Sequence, residues 1–150
     1  MDNTESIYEK SVVPNTMGTK SFNIDNLFLV AFFGGVIPMV VLGAKNAKWL
    51  NISKKLIYML IIFGAALLVT KLVFVAMITS GSLDLDNTTL NISYRVGSVL
   101  LFIAFKLVLN KAFHQHMVVC GKMEALLKPA LIWIVVGIVV EFVLVVAVSM

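Results

Sequence analysis

Along the chain, apolar residues gather into four long blocks separated by short polar stretches, with no strand-like alternation to compete. The blocks are Leu27 to Ala44, Leu56 to Thr79, Val96 to about Val119 and Ala130 to Met150. The first is uncharged, while Lys71 interrupts the second, Lys106 the third and Glu141 the fourth. A hydrocarbon core roughly 30 Å thick needs about 20 mainly apolar residues at about 1.5 Å of helical rise each, and every block comes close to that. Lipid leaves no water for unpaired backbone groups, so only helices and closed barrels cross it, and continuous runs of this length are unlike the short alternating strands of a barrel. The pattern predicts an all-α membrane protein: four transmembrane helices at about 27–44, 56–79, 96–119 and 130–150 in an antiparallel bundle, behind a polar tail at 1–26.

Composition sharpens that picture. Of the 150 residues 60% are hydrophobic and only 13% charged, where soluble domains hold about 45–50% and about 25%. Too little polar surface remains to cover a water-soluble globule. The length fits one domain. Block one is no cleavable signal peptide, because a polar tail precedes it and Lys45 and Lys48 follow where a small-residue cleavage site would stand. Cys120 is alone, which excludes an intramolecular disulfide or a thiolate metal cage made by this chain.

Basic residues near the ends of short loops set orientation. Lys45, Lys48, Lys54 and Lys55 lie between blocks one and two, and Lys111, Lys122 and Lys128 between three and four. Against these stand Lys10, Lys20 and Arg95. The bias predicts both termini on the outer side of a cell membrane, a bacterial cytoplasmic membrane being the expected setting. Ser80 to Tyr94 reads as an outer coil, with acceptor triplets for N-linked sugar at Asn87 and Asn91. Ser6 to Lys10 is expected to form a short surface helix in the tail, and Trp49, Tyr58, Tyr94 and Trp133 to act as interfacial anchors.

Ionisable side chains inside hydrocarbon cost about 2.5–3.5 kcal/mol each and persist where they have a partner or a task. Measured from the expected outer ends, Lys71 lies about 12 Å deep, Lys106 about 15 Å and Glu141 about 13 Å. The three are expected to share the midplane. Pro38 falls in the same layer and cannot bond the Gly34 carbonyl, so a helix kink at Gly34 and Pro38 is expected to leave an acceptor exposed. Lys106, Asn110 and His114 recur every four residues, which puts them on one helix face leading toward the cytoplasm, as Lys71 and Thr79 share a face leading outward. A Glu paired with a Lys between helices can simply lock register with no ligand; but one carboxylate cannot neutralise two ammonium groups, so with Lys71, Lys106 and Glu141 either one lysine is deprotonated by burial or an external anion or acidic partner completes the set.

Other signals fade. His114 and His116 diverge on a helix, so no metal site is expected. There is no phosphate-binding glycine loop, nucleophile elbow or hydrolytic triad, hence neither enzyme activity nor a cofactor is expected, and the basic residues are too few for a nucleic-acid surface. Phe32-Phe33-Gly34-Gly35, followed by Gly43, Asn46, Leu50 and a basic loop, resembles the opening helix of many small bacterial membrane proteins, with Val36 where proline often follows the glycine pair. That resemblance covers about a tenth of the chain and implies no activity. The length and the carboxylate in the last block are similar to the proteolipid of rotary proton pumps, from which the chain departs in its bulky aliphatic helices and intramembrane lysines. Three functions are therefore expected of this bilayer protein, one of them that of an immunity or sensory protein whose tail and outer loop bind a ligand. In the other two it acts as an oligomer or as an accessory subunit joined to a partner membrane protein through its Lys/Lys/Glu centre, or as a small transporter or channel for a proton, ion or anionic solute with Glu141 titrating.

Overall fold

The computed structural model describes residues 20–84, 86–118 and 122–149. The expected tail helix at Ser6 to Lys10, and Cys120, lie outside them. In chain order the elements are β1 (Lys20–Ser21), α1 (Leu27–Leu29) running into a π-helical turn (Val30–Gly34), α2 (Val36–Trp49), α3 (Lys54–Thr79), α4 (Asn87–Val118), β2 (Lys122–Met123) and α5 (Leu127–Ser149). The described residues are mostly helical, and α3, α4 and α5 are long and apolar enough to cross a membrane. The expected coil at 80–94 gives way to helix from Asn87 onward.

Block one behaves differently. Gly35 adopts φ 78° and ψ −157°, a conformation essentially closed to residues with a Cβ, and the helix stops there and restarts at Val36. Pro38 stands in the first turn of α2, where its missing N–H would have no intrahelical acceptor. The chain reverses at this point. Before it, Asp25 meets Lys106, Phe28 packs edge-on against Phe102, and the Ser98 hydroxyl donates to the Ala31 carbonyl, so residues 25–31 run antiparallel to α4. After it, Gly35 lies beside Tyr94 and Gly43 against the Phe105 ring, so α2 returns parallel to α4. By Asn46 the chain is again beside Phe22.

Block one is thus a re-entrant helical hairpin with its apex at Gly34 and Gly35. Instead of one continuous helix from 27 to 44, both legs open at the end of the bundle where α3 and α5 begin. Lys20 and Ser149 accordingly lie at opposite ends; four crossings and a common side for both termini are not confirmed, Met1 and Met150 lying outside the described residues. The end that holds the hairpin's legs also carries Lys20, Lys45, Lys48, Lys54, Lys55, Lys122 and Lys128; the far end carries Asp84 and Asp86.

Packing makes the hairpin the core. Leu27, Val30, Ala31, Val36, Pro38, Met39 and Leu42 are fully buried against Leu101, Phe105 and Leu109 of α4. α2 and α3 touch all the other long helices, with α4 and α5 on opposite sides of them. α3 and α5 bury little beyond Leu60, Gly64, Ala130 and Gly137 and present aliphatic side chains outward, as helices surrounded by lipid do. Each long helix meets α2 through a glycine contact. A Cβ at Gly64 of α3 would strike Val40, one at Gly137 of α5 would lie 2.8 Å from the Pro38 ring, and one at Gly43 of α2 would lie 2.8 Å from Phe105 of α4.

The base is polar and closed. The buried Asn46 side-chain carbonyl accepts from the Phe22 N–H (2.8 Å) and the Ser21 hydroxyl (3.0 Å), and its amide donates to the Phe22 carbonyl. β1 pairs in parallel with β2, Lys20 opposite Lys122, and the Glu124 N–H donates to the Ser21 carbonyl. Lys20 also bonds the Glu124 carboxylate at 2.9 Å and holds it below the usual carboxylate range. α2 ends on Asn51 at φ 55°, with the Ile52 N–H reaching back to the Ala47 carbonyl; α3 ends likewise on Gly81.

Candidate functional site

Three side chains from three helices meet at the hairpin's apex. Lys71 lies eight residues before the end of α3, Tyr94 seven after the start of α4, and Glu141 eight before the end of α5. Each is therefore about 10–12 Å inside the far end, while the 14 residues of α2 lift the apex about 21 Å from the basic end. The two heights sum to the thickness of a hydrocarbon core.

At that level the Lys71 ammonium donates to Glu141 Oε2 at 2.6 Å, and the Tyr94 hydroxyl donates to Glu141 Oε1 at 2.8 Å. The Lys71 nitrogen also sits 3.9 Å from the centre of the Tyr94 ring. Both oxygens of the carboxylate are engaged by different helices, and the two charged side chains are only 13% and 16% exposed. A Cβ at Gly35 would lie 3.2 Å from Glu141 Oε1, so the absence of a side chain there lets the backbone approach the acid. The Val36 N–H faces the Tyr94 hydroxyl. The positive end of the α2 dipole is thereby turned toward the carboxylate.

Because the hairpin stops short, space remains between the apex and the far end. A cavity of about 250 Å³ is lined by Phe32, Phe33, Lys71, Asn91, Tyr94, Arg95 and Glu141. A second, of about 310 Å³, shares Lys71 and Asn91 with it and extends past Thr79 to Ser149. Lys71 and Thr79 both line this second cavity. The Arg95 guanidinium stands over the Phe32 ring at 5.8 Å. Toward the basic end the apex rests on fully buried Pro38, Met39 and Leu42.

The structure brings Lys71 and Glu141 together and leaves Lys106 out. Lys106 pairs with Asp25 at 2.7 Å on the exposed surface. It lies 12 residues beyond Tyr94 on α4, hence about 18 Å closer to the basic end. Counting depth from Val96 went astray because α4 begins nine residues earlier. Asn110 and His114 share the exposed face of Lys106, so this stripe lines no interior path; the buried histidine is His116. Each membrane lysine has its own acid, which removes the unmatched cation. The kink expected from Pro38 is instead a full reversal at Gly35, and the Gly34 carbonyl faces Gly137 of α5.

Tyr94, Arg95 and Asn91 were not among the expected site residues, Tyr94 having been read as an interfacial anchor. Their signal lies in the spacing Asn91, Tyr94, Arg95, Ser98, a polar face at helical intervals. Reading 80–94 as coil hides it. No family model, curated protein or solved structure matches the chain.

Proposed function

We propose that the protein is a small membrane transporter that moves an anionic solute together with a proton, with Glu141 as the proton site and Lys71 as the anion-holding group. The observation that supports this reading is the Lys71, Glu141 and Tyr94 cluster at the floor of a cavity leading to one end of the bundle, over the apex of a re-entrant hairpin. In this reading α3, α4 and α5 cross the bilayer, the hairpin enters and leaves on the lysine-rich side, and that side is cytoplasmic. The cavity then faces outward.

The chemistry follows from charge. Lys71 and Arg95 against Glu141 leave the cavity one positive charge in excess, and the α2 N-terminus adds to it. An arriving anion competes with Glu141 for the Lys71 ammonium. Once displaced from Lys71, the carboxylate keeps only the Tyr94 hydrogen bond in a poorly solvated site, and a proton taken up with the solute replaces the lost cation. Broken helices whose ends face a midplane site suit such work because their backbone dipoles are already aimed. Passage to the other side requires the hairpin to shift, since Pro38, Met39 and Leu42 close the way below.

Proteoliposomes containing only this chain test the reading, with acetate and proton uptake above the passive acetic acid leak of protein-free liposomes as probes. Uptake of both is expected, with Glu141→Gln removing the proton component and Lys71→Met the acetate component. Absence of flux for both probes in the native chain, or flux unchanged in pH dependence by Glu141→Gln, overturns it.

A further inference from the structure

A separate feature lies at the basic end, in the groove between α2 and α3. Here a cavity of about 760 Å³ has a cationic rim of Lys45, Lys48 and Lys54 and an apolar wall that includes Ile57, Tyr58 and Ile61. Further along the same pair of helices a cavity of about 150 Å³ continues between Val40 and Val41 on one side and Gly64 and Ala65 on the other, with almost no polar surface. Ala44 and Ile61 belong to the first cavity and Val41 and Ala65 to the second, so successive turns of both helices join them into one track. One end is cationic and the rest is aliphatic.

Among the described residues the ion pairs are Lys20 with Glu124, Lys71 with Glu141 and Lys106 with Asp25; Lys45 helps Lys20 hold the Glu124 carboxylate charged, and no described acid pairs with Lys48 or Lys54. Lys45 rests over the Trp49 ring at 4.9 Å, a contact that leaves its charge intact. No acidic residue stands in the first turn of α3, and Ser53 makes no side-chain cap, so the positive end of that helix adds to the lysines.

We infer that this track binds one anionic phospholipid, its phosphate at Lys48, Lys54 and the start of α3, and one acyl chain laid along Ile57, Ile61 and Ala65. The occupant must carry a negative head and an aliphatic tail at the level where the helices leave the hydrocarbon. Basic recesses between membrane helices on the lysine-rich side recognise such lipids. A free phosphate satisfies the rim alone and leaves the apolar stretch uncovered. The inference is independent of transport, because it uses neither Glu141 nor the far-end cavity.

The test uses the purified full chain in phosphatidylcholine nanodiscs doped with phosphatidylglycerol, with retained lipid counted by native mass spectrometry. Phosphatidylglycerol is expected to be retained selectively over phosphatidylcholine. Lys48→Gln with Lys54→Gln should weaken that retention about thirtyfold, the effect of two surface lysines. Lys55→Gln with Lys128→Gln removes the same charge from the same end outside the groove and should leave retention nearly intact. Val41→Trp, which fills the tail slot, should lower phosphatidylglycerol retention while leaving inorganic phosphate binding unchanged. Equal loss in the two lysine pairs, equal retention of both lipids, or competition by inorganic phosphate as strong as by phosphatidylglycerol would overturn the inference.

Discussion

Glu141 takes one hydrogen bond on each oxygen, from Lys71 and from Tyr94, and both donors come from other helices. Removing one member of a nearly buried ion pair strands the other charge, at a cost of about 3 kcal/mol, whereas removing both leaves no stranded charge. Glu141→Gln and Lys71→Met should therefore each lower the unfolding midpoint in detergent, and the double variant should lie above the weaker single one. Additive losses would mean that the two side chains do not act as a pair. At this scale the sequence was half legible. Two apolar blocks each interrupted by one charge announce Lys71 and Glu141, since such groups persist in lipid only when matched. Lys106 carries the same signature and misleads, because its depth depends on where α4 begins, and a helix that starts in a polar stretch such as Asn87 to Tyr94 shows no apolar edge.

The elements long and apolar enough to span a membrane were plain from the sequence, and the one that reverses was not. Block one has the length and uniform hydrophobicity of a crossing; only Gly34 and Gly35 mark the break, and a glycine pair serves helix packing as readily as it serves a turn. The reversal is decided by contacts with α4 and α5, which no local window contains. Gly43 and Gly97 separate a glycine that close packing requires from one that it does not. A Cβ at Gly43 would press on the Phe105 ring at 2.8 Å, while one at Gly97 would meet Leu67 at an ordinary 3.5 Å. Gly43→Ala is expected to destabilise by about 1–3 kcal/mol and Gly97→Ala to stabilise by about 0.5–1 kcal/mol, both read from thermal unfolding. The strand pair at the base offers a pH handle. Lys20 holds the Glu124 carboxylate below its usual range, so this contact contributes above the ordinary carboxylate range and is lost as pH falls through the lowered value. The protection factor of the Glu124 amide, its exchange rate set against the intrinsic rate at the same pH, should fall in acid, and Glu124→Gln should abolish that fall.

For the molecule as a whole, the hairpin predicts sidedness that four crossings would not. In a Cys120→Ser background, cysteines at Lys20 and Lys48 should react with an impermeant thiol reagent from the same face of the membrane, and one at Ser82 only from the opposite face. Labelling of position 20 with position 82 would show that block one crosses after all. The hairpin's surroundings also set the order of biogenesis. Its apex rests against Ile134, Gly137 and Glu141, and the strand at its entrance pairs with residues just before α5. All of these leave the ribosome after α3 and α4. On the proposed topology, the first apolar segment therefore has no seat at its final depth while α3 and α4 enter the bilayer, and it gains one only when α5 arrives.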